Sequence, residues 1–132
     1  MGSPIRVMVI DDEKDFLYTM EYWLKSKGYN VSTASNGLEA IELIKKETLD
    51  IIFLDMHMPV MDGVQTLKNI RQLNKDIPVI VITAYASDEK VTEAEKYGIS
   101  GLFYKYKDLS ESANLIETVL RRHKGLRQEE AQ

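Results

Sequence analysis

The sequence predicts an α/β protein, a single parallel sheet with helices on both faces, and three observations carry this. Short apolar runs recur along the chain, as in Ile5-Arg6-Val7-Met8-Val9-Ile10, Ile51-Ile52-Phe53-Leu54 and Pro78-Val79-Ile80-Val81-Ile82. They are near-continuous rather than alternating, as expected of strands covered on both sides. Segments with helical spacing separate them, and alternating β and α units of this length imply right-handed crossovers. Finally, four runs close on polar residues: Asp11 and Asp12, Asp55, Thr83 and Lys105. In open α/β sheets, ligands bind beyond the carboxyl ends of the strands.

The first strand is expected at residues 5–10. The helix after it carries Phe16, Leu17, Met20, Trp23 and Leu24 on one face and stops near Gly28. A second strand, 29–33, leads to a helix from Leu38 to Lys46, with Leu38, Ile41 and Ile44 aligned. The third strand, 50–55, precedes a helix from Val64 to Leu73 that repeats Val64, Leu67 and Ile70. After a fourth strand, 78–83, Ser87 is a good N-cap for a helix ending at Gly98. That helix offers only Val91, Ala94 and Tyr97 to the core, so its local stability is expected to be low. The fifth strand, 100–105, leads to a helix from Leu109 to Lys124. Asp108 and Glu111 stand there in capping-box spacing, and Arg121, Arg122 and Lys124 complement the C-terminal dipole. Residues 4–124 read as one domain, and 125–132 as a polar, frayed tail or the start of a linker.

The 132 residues, 44% hydrophobic and 29% charged, suit one globular core. A formal net charge of −4 gives no general attraction to nucleic acid or to an anionic membrane, so neither is expected as a direct partner. With no cysteine, disulfides, thiolate catalysis and zinc–thiolate sites are excluded. No apolar run approaches the roughly 18 residues of a membrane span, and nothing near the N-terminus reads as a signal peptide. A cytoplasmic location is the expectation.

Convergence of Asp11, Asp12 and Asp55 would be electrostatically costly. Two like charges 4 Å apart cost about 4 kcal/mol at an effective dielectric near 20. One lysine cannot offset three carboxylates, and oxygen-only ligands favour a hard divalent cation such as Mg²⁺. The same arrangement equips Asp55 as a nucleophile towards phosphorus, with Lys105 and Thr83 placed to stabilise phosphoryl oxygens. Each residue alone has a plainer reading: Asp11-Asp12 as a helix cap, Asp55 as a turn residue, Lys105 as a solvated strand end. Their joint placement argues against four coincidences. Met56, Met58 and Met61 read as gap-filling apolar residues, and the His57 side chain as an exposed loop group.

Asp11-Asp12, then Asp55-Met56-His57-Met58-Pro59-Val60-Met61-Asp62-Gly63, then Thr83-Ala84, then Lys105 resembles the receiver domain of two-component response regulators, the CheY-like family. The match runs from about residue 5 to residue 124. It implies a flavodoxin-like doubly wound sheet of order 2-1-3-4-5. It implies that Asp55 accepts a phosphoryl group from a sensor histidine kinase, a phosphotransfer protein or a small phosphodonor. By the same resemblance, Asp12, Asp55 and the backbone carbonyl of His57 ligate Mg²⁺, with Asp11 acting through water. Lys105 pairs with the phosphoryl group, Thr83 follows it, and the Ala84 backbone N–H contacts it. His57 and Tyr85 occupy positions that tune phosphoryl lifetime. The output would be a changed surface on the fourth helix, fifth strand and fifth helix, read by a downstream target protein or a C-terminal effector domain. A phosphorylation-dependent dimer is also allowed. Such a domain catalyses its own modification and slow hydrolysis, and turns over no external substrate.

Two positions depart from the family pattern. Tyr106 stands where a cis-proline usually follows the lysine, so either a trans or a strained peptide is expected. Leu102 stands where a switch aromatic is usual, and Tyr104, on the same side of the strand, is a substitute for it. These departures give the one serious alternative, a receiver-like binding module that is not phosphorylated. A haloacid dehalogenase-type phosphatase would want a second Asp where His57 stands. A nucleotide or flavin site would want a glycine-rich loop where Asp11-Asp12-Glu13-Lys14-Asp15 stands.

Overall fold

The computed structural model describes residues 3–85 and 87–131. Five strands and five helices alternate along the chain. They are β1 (Arg6–Ile10), α1 (Lys14–Ser26), β2 (Asn30–Ala34), α2 (Gly37–Lys46), β3 (Ile51–Asp55), α3 (Gly63–Leu73), β4 (Val79–Thr83), α4 (Glu89–Glu95), β5 (Gly101–Tyr104) and α5 (Ser110–Ala131). The strands form one parallel sheet in the order β2-β1-β3-β4-β5, as the resemblance implies. Register is continuous across the centre, with Ile10 opposite Leu54 and Asp55 opposite Ile82. Asp55 and Thr83 are therefore delivered to the same edge, one residue beyond Asp55's partner.

Every residue of β3 and β4 is buried, which is why these strands read as unbroken apolar runs. Alternate side chains feed two cores. Met8, Ile10, Ile52, Leu54, Val79 and Val81 meet α2, α3 and α4 through Ala40, Val64, Leu67, Ile70, Val91 and Ala94. Val7, Val9, Ile51, Phe53, Ile80, Ile82 and Phe103 meet α1 and α5 through Leu17, Met20, Leu24, Ile116 and Val119. Phe103 stands edge-on to Phe53 at 5.9 Å, a favoured aromatic geometry. Met56 and Met58 are buried in the first core, in keeping with their reading as apolar filler.

Helix ends differ from expectation in three places. The N-cap of α4 is Asp88, whose carboxylate accepts the Lys90 N–H at 3.0 Å; Ser87 is exposed and does not cap. At α5, Asp108 accepts the Glu111 N–H at 3.1 Å with its backbone carbonyl, not with its side chain. Its side chain takes the Ser110 N–H instead, at 2.9 Å, so no capping box forms. The capping box of this fold is at α3. There Asp62 accepts the Gln65 N–H at 2.9 Å, and the Gln65 side chain accepts the Asp62 N–H at 3.1 Å. Third, α5 runs on to Ala131 and does not stop at Lys124, so the expected tail continues the helix. Residue 132 lies outside the described residues.

The α4 helix is only seven residues long, and Val91 and Ala94 are its buried members. It is tied to α3 by charge, with Lys90 Nζ 2.8 Å from Asp62 Oδ2. The segment after it is tied to α3 and to the start of the β4 run by Arg71, whose guanidinium donates to the carbonyls of Tyr97, Gly98 and Ile77, each at 2.8 Å. Among the described residues, no helix is long and apolar enough to cross a membrane.

Candidate functional site

Asp11, Asp12 and Asp55 converge at the carboxyl edge of the sheet, each offering an oxygen within 4.8 Å of the others'. Asp11 is wholly buried and Asp55 is 5% exposed, whereas Asp12 faces solvent. Their placement is dictated by the central strands: β1 ends just before Asp11, and β3 ends on Asp55. Glycine makes this possible at one point. A Cβ on Gly63 would run into the backbone of Asp55 and Met56, so only glycine lets α3 begin this close to the end of β3.

Lys105 enters from β5. Its Nζ lies 2.9 Å from Asp11 Oδ1, 2.8 Å from Glu13 Oε1 and 4.0 Å from Asp55 Oδ2. It also sits 5.0 Å over the ring of Phe16. Burial alone would depress the ammonium, but the hydrogen bonds to Glu13 and Asp11 more than offset it and push its pKa up to about 12. Lys105 thus stays charged, yet it is engaged mostly by Asp11 and Glu13. Asp55 keeps a hydrogen bond from the His57 N–H at 3.0 Å. Burial, followed by the nearby charge of Asp11, raises its pKa to about 7 against the pull of the His57 amide and Lys105. Asp11 is raised as well, chiefly by burial. The cluster carries more negative charge than its one lysine can balance.

Metal chemistry fits these residues. The donors are all carboxylate oxygens, as a hard divalent cation requires. Asp11 Oδ2 is buried with no hydrogen-bond partner, an orphaned acceptor facing this cluster's excess charge. A cation bound among the three carboxylates would satisfy both demands.

Thr83 is buried at the end of β4, but its hydroxyl does not reach Asp55. It lies 3.1 Å from the Tyr85 carbonyl and 3.1 Å from Asp88 Oδ2. Ala84 lines the mouth of the site together with Asp12, Glu13, Asp55, His57, Tyr85, Lys105 and Tyr106. The His57 side chain is not simply solvated: its ring Nε2 lies 2.7 Å from Asp88 Oδ2. No cis peptide occurs among the described residues, so the Lys105–Tyr106 bond is trans. Tyr106 takes φ 72°, the left-handed region that a non-glycine residue occupies at some cost. Its hydroxyl lies 3.3 Å from Glu13 Oε1. Leu102 packs on the α2–α3–α4 side, with Phe103 opposite.

The sequence reading did not find two participants, Glu13 and Asp88. Glu13 stood in plain view in the acidic run after β1, and its signal was a third carboxylate within two residues of Asp11. Asp88 gave no such signal, being one of a run of charged residues at the start of α4.

The family model of the response regulator receiver domain matches residues 7–117. The chain belongs to that family. The transcriptional regulatory protein ZraR of Escherichia coli K12 is 35% identical over 116 residues, which is 88% of this chain and 26% of that protein. The sporulation initiation phosphotransferase F of Bacillus subtilis is 30% identical over 115 residues, 87% of this chain and 93% of that protein. A solved chain in the CheX–CheY–BeF3–Mg complex of Borrelia burgdorferi is 30% identical with a TM-score of 0.82, covering 89% of this chain and 90% of that one. The chain spans about a quarter of the length of the ZraR relatives it matches. It is a receiver domain of the two-component response regulator class.

Proposed function

We propose that this receiver domain accepts a phosphoryl group on Asp55. The observation that carries the reading is the Asp55 carboxylate itself, nearly buried, ringed by Asp11, Asp12 and Lys105, and lining a cavity shared with Asp12 and Ala84. In the transfer, an Asp55 carboxylate oxygen forms a bond to phosphorus as the donor's P–N or P–O bond breaks, and the leaving group takes the electron pair. Asp11, Asp12 and Asp55, with the His57 carbonyl, would hold Mg²⁺, which supplies positive charge for the transferring oxygens. The His57 N–H fixes one Asp55 oxygen, leaving the other for attack. Lys105, 4.0 Å from Asp55, is close enough to turn from Asp11 and Glu13 towards a phosphoryl oxygen. Thr83 and the Ala84 N–H complete the donors on the β4 side.

The donor is a sensor histidine kinase, a phosphotransfer protein or a small acyl phosphate, and the domain turns over no other substrate. A relative solved with BeF3 and Mg²⁺ supports the same chemistry here. The output surface is α4, β5 and α5, read by a target protein or an attached effector domain. The short, lightly buried α4 is the element that can shift at least cost. Intact mass after incubation with acetyl phosphate and Mg²⁺ tests this directly. One added phosphoryl group is expected, lost in Asp55→Ala and with EDTA. No adduct on folded protein, from acetyl phosphate or from a kinase, would favour a receiver-like binding module.

A further inference from the structure

Asp88 does more than cap α4. Its side chain is only 4% exposed although the nearest residues of the loop face solvent. Oδ1 accepts the Lys90 N–H at 3.0 Å, which is the capping bond. Oδ2 is a separate acceptor, shared by the His57 ring at 2.7 Å and the Thr83 hydroxyl at 3.1 Å. His57 is attached at both ends, since its backbone N–H donates to Asp55 while its ring donates to Asp88. One carboxylate oxygen therefore links the loop after β3, the end of β4 and the start of α4.

We propose that Asp88 is a positioning residue for phosphoryl transfer: it holds the Thr83 hydroxyl and the His57 ring away from Asp55, and phosphoryl oxygens must compete with it for Thr83. The inference rests on Asp55 being the phosphoacceptor. A threonine hydroxyl has one hydrogen. Asp88 Oδ2 and the Tyr85 carbonyl, each 3.1 Å away, are its two acceptors, and a phosphoryl oxygen that takes the hydrogen takes it from both. The capping bond to Oδ1 survives this exchange, so α4 keeps its N-terminus and moves without unwinding. Oδ2 keeps His57, so the departure of Thr83 does not leave a buried acceptor bare. The charge on Asp88 sets the strength of the competition, because a carboxylate accepts a hydrogen bond more strongly than a neutral amide does.

Asp88→Asn separates this role from capping, since asparagine caps as well as aspartate. The experiment follows labelling of Asp55 by acetyl phosphate with Mg²⁺, then decay of the adduct after donor removal, by intact mass. Wild type, Asp88→Asn, Thr83→Val and the double variant are compared, with Asp55→Ala as the labelling control. Asp88→Asn is expected to shift the labelling-to-decay balance towards the adduct by about fivefold, the effect of weakening one charge-assisted hydrogen bond. In the Thr83→Val background the same substitution should change nothing. The His57 ring ¹⁵N resonances should also move in unphosphorylated Asp88→Asn. Wild-type kinetics in Asp88→Asn would overturn the proposal. So would an equal effect in both backgrounds, which would mark a merely structural role. Wild type that takes no label at Asp55 would overturn the phosphoacceptor reading and this inference together.

Discussion

Lys105 Nζ lies 2.9 Å from Asp11 Oδ1 and 4.0 Å from Asp55 Oδ2. Lys105, the one buried cation among the described residues, thus sits beside Asp11 and only near the residue that would be phosphorylated. Glu13, at 2.8 Å, holds it from the solvent side. Asp55 is left in a nearly dry position with one amide hydrogen bond and a like-charged neighbour. The site is electrostatically incomplete, and its incompleteness can be measured.

The metal-free protein should lose stability as pH rises from 5 to 8. The folded-state pKa of Asp55 is about 7, against about 3.9 in an unfolded chain. A raised carboxylate contributes stability that is complete below the unfolded value and lost as pH climbs through the folded one. The loss expected is on the order of 1–3 kcal/mol, read from urea denaturation in EDTA. Glu13, Asp62 and Asp88 are shifted down and run the other way, weakening the fold only in stronger acid. Asp55→Asn should flatten the fall between pH 5 and 8. Mg²⁺ at a hundred times its Kd should restore about 2.7 kcal/mol at pH 8 in wild type, and much less in Asp55→Asn. A wild-type profile that rises from pH 5 to 8 in EDTA would contradict the burial argument.

Gly63→Ala should damage the fold and the site together. The added Cβ meets the backbone of Asp55 and Met56, which cannot rotate away as a flexible side chain would. A cost of about 2–4 kcal/mol is expected in chemical denaturation, from overpacking against fixed backbone. Whatever relaxation occurs must move the end of β3 or the start of α3. Labelling at Asp55 should therefore slow even under conditions where the variant is fully folded.

Much of this arrangement was legible in the sequence because burial on both faces leaves a strand no polar position until it ends. That constraint puts Asp11, Asp55, Thr83 and Lys105 at visible boundaries, and the parallel topology does the rest. Glu13 and Asp88 were not legible for a different reason. Both lie in loops or at helix starts, where a carboxylate is equally at home in water. Only the approach of Lys105 in one case, and of Thr83 with His57 in the other, turns them inward. The exchange of Ser87 for Asp88 as cap has the same origin, since both are good caps and the tertiary partners choose. The continuation of α5 through Gly125 was hidden because a glycine and a polar stretch look like a stop, although a helix tolerates a glycine at about 1 kcal/mol.

Arg71→Lys should cost about 1–3 kcal/mol although charge is conserved. The guanidinium serves three carbonyls on two segments, that of Ile77 before β4 and those of Tyr97 and Gly98 after α4, each at 2.8 Å. An ammonium cannot span that fork, and a half-buried carbonyl left bare loses its partner outright. The Tyr97 and Gly98 contacts fix the end of α4, so hydrogen exchange in α4 should speed up more than in α3. Uniform acceleration across the sheet would show instead that Arg71 supports only global stability.

Leu102→Tyr should leave labelling of Asp55 intact. Leu102 lies two residues before Tyr104, the last residue of β5, and packs on the core that includes Val91 and Ala94 of α4. A larger ring there overfills that side by about 1–3 kcal/mol, or swings out towards solvent at less cost. Either way the strain falls on α4 and β5, not on Asp11, Asp12 or Asp55. The coupling of the site to the α4 surface should change, read as altered amide shifts in α4 on phosphorylation, while the rate of labelling stays within about twofold. Loss of phosphate uptake in a folded Leu102→Tyr protein would mean that the switch face and the chemical site are one unit.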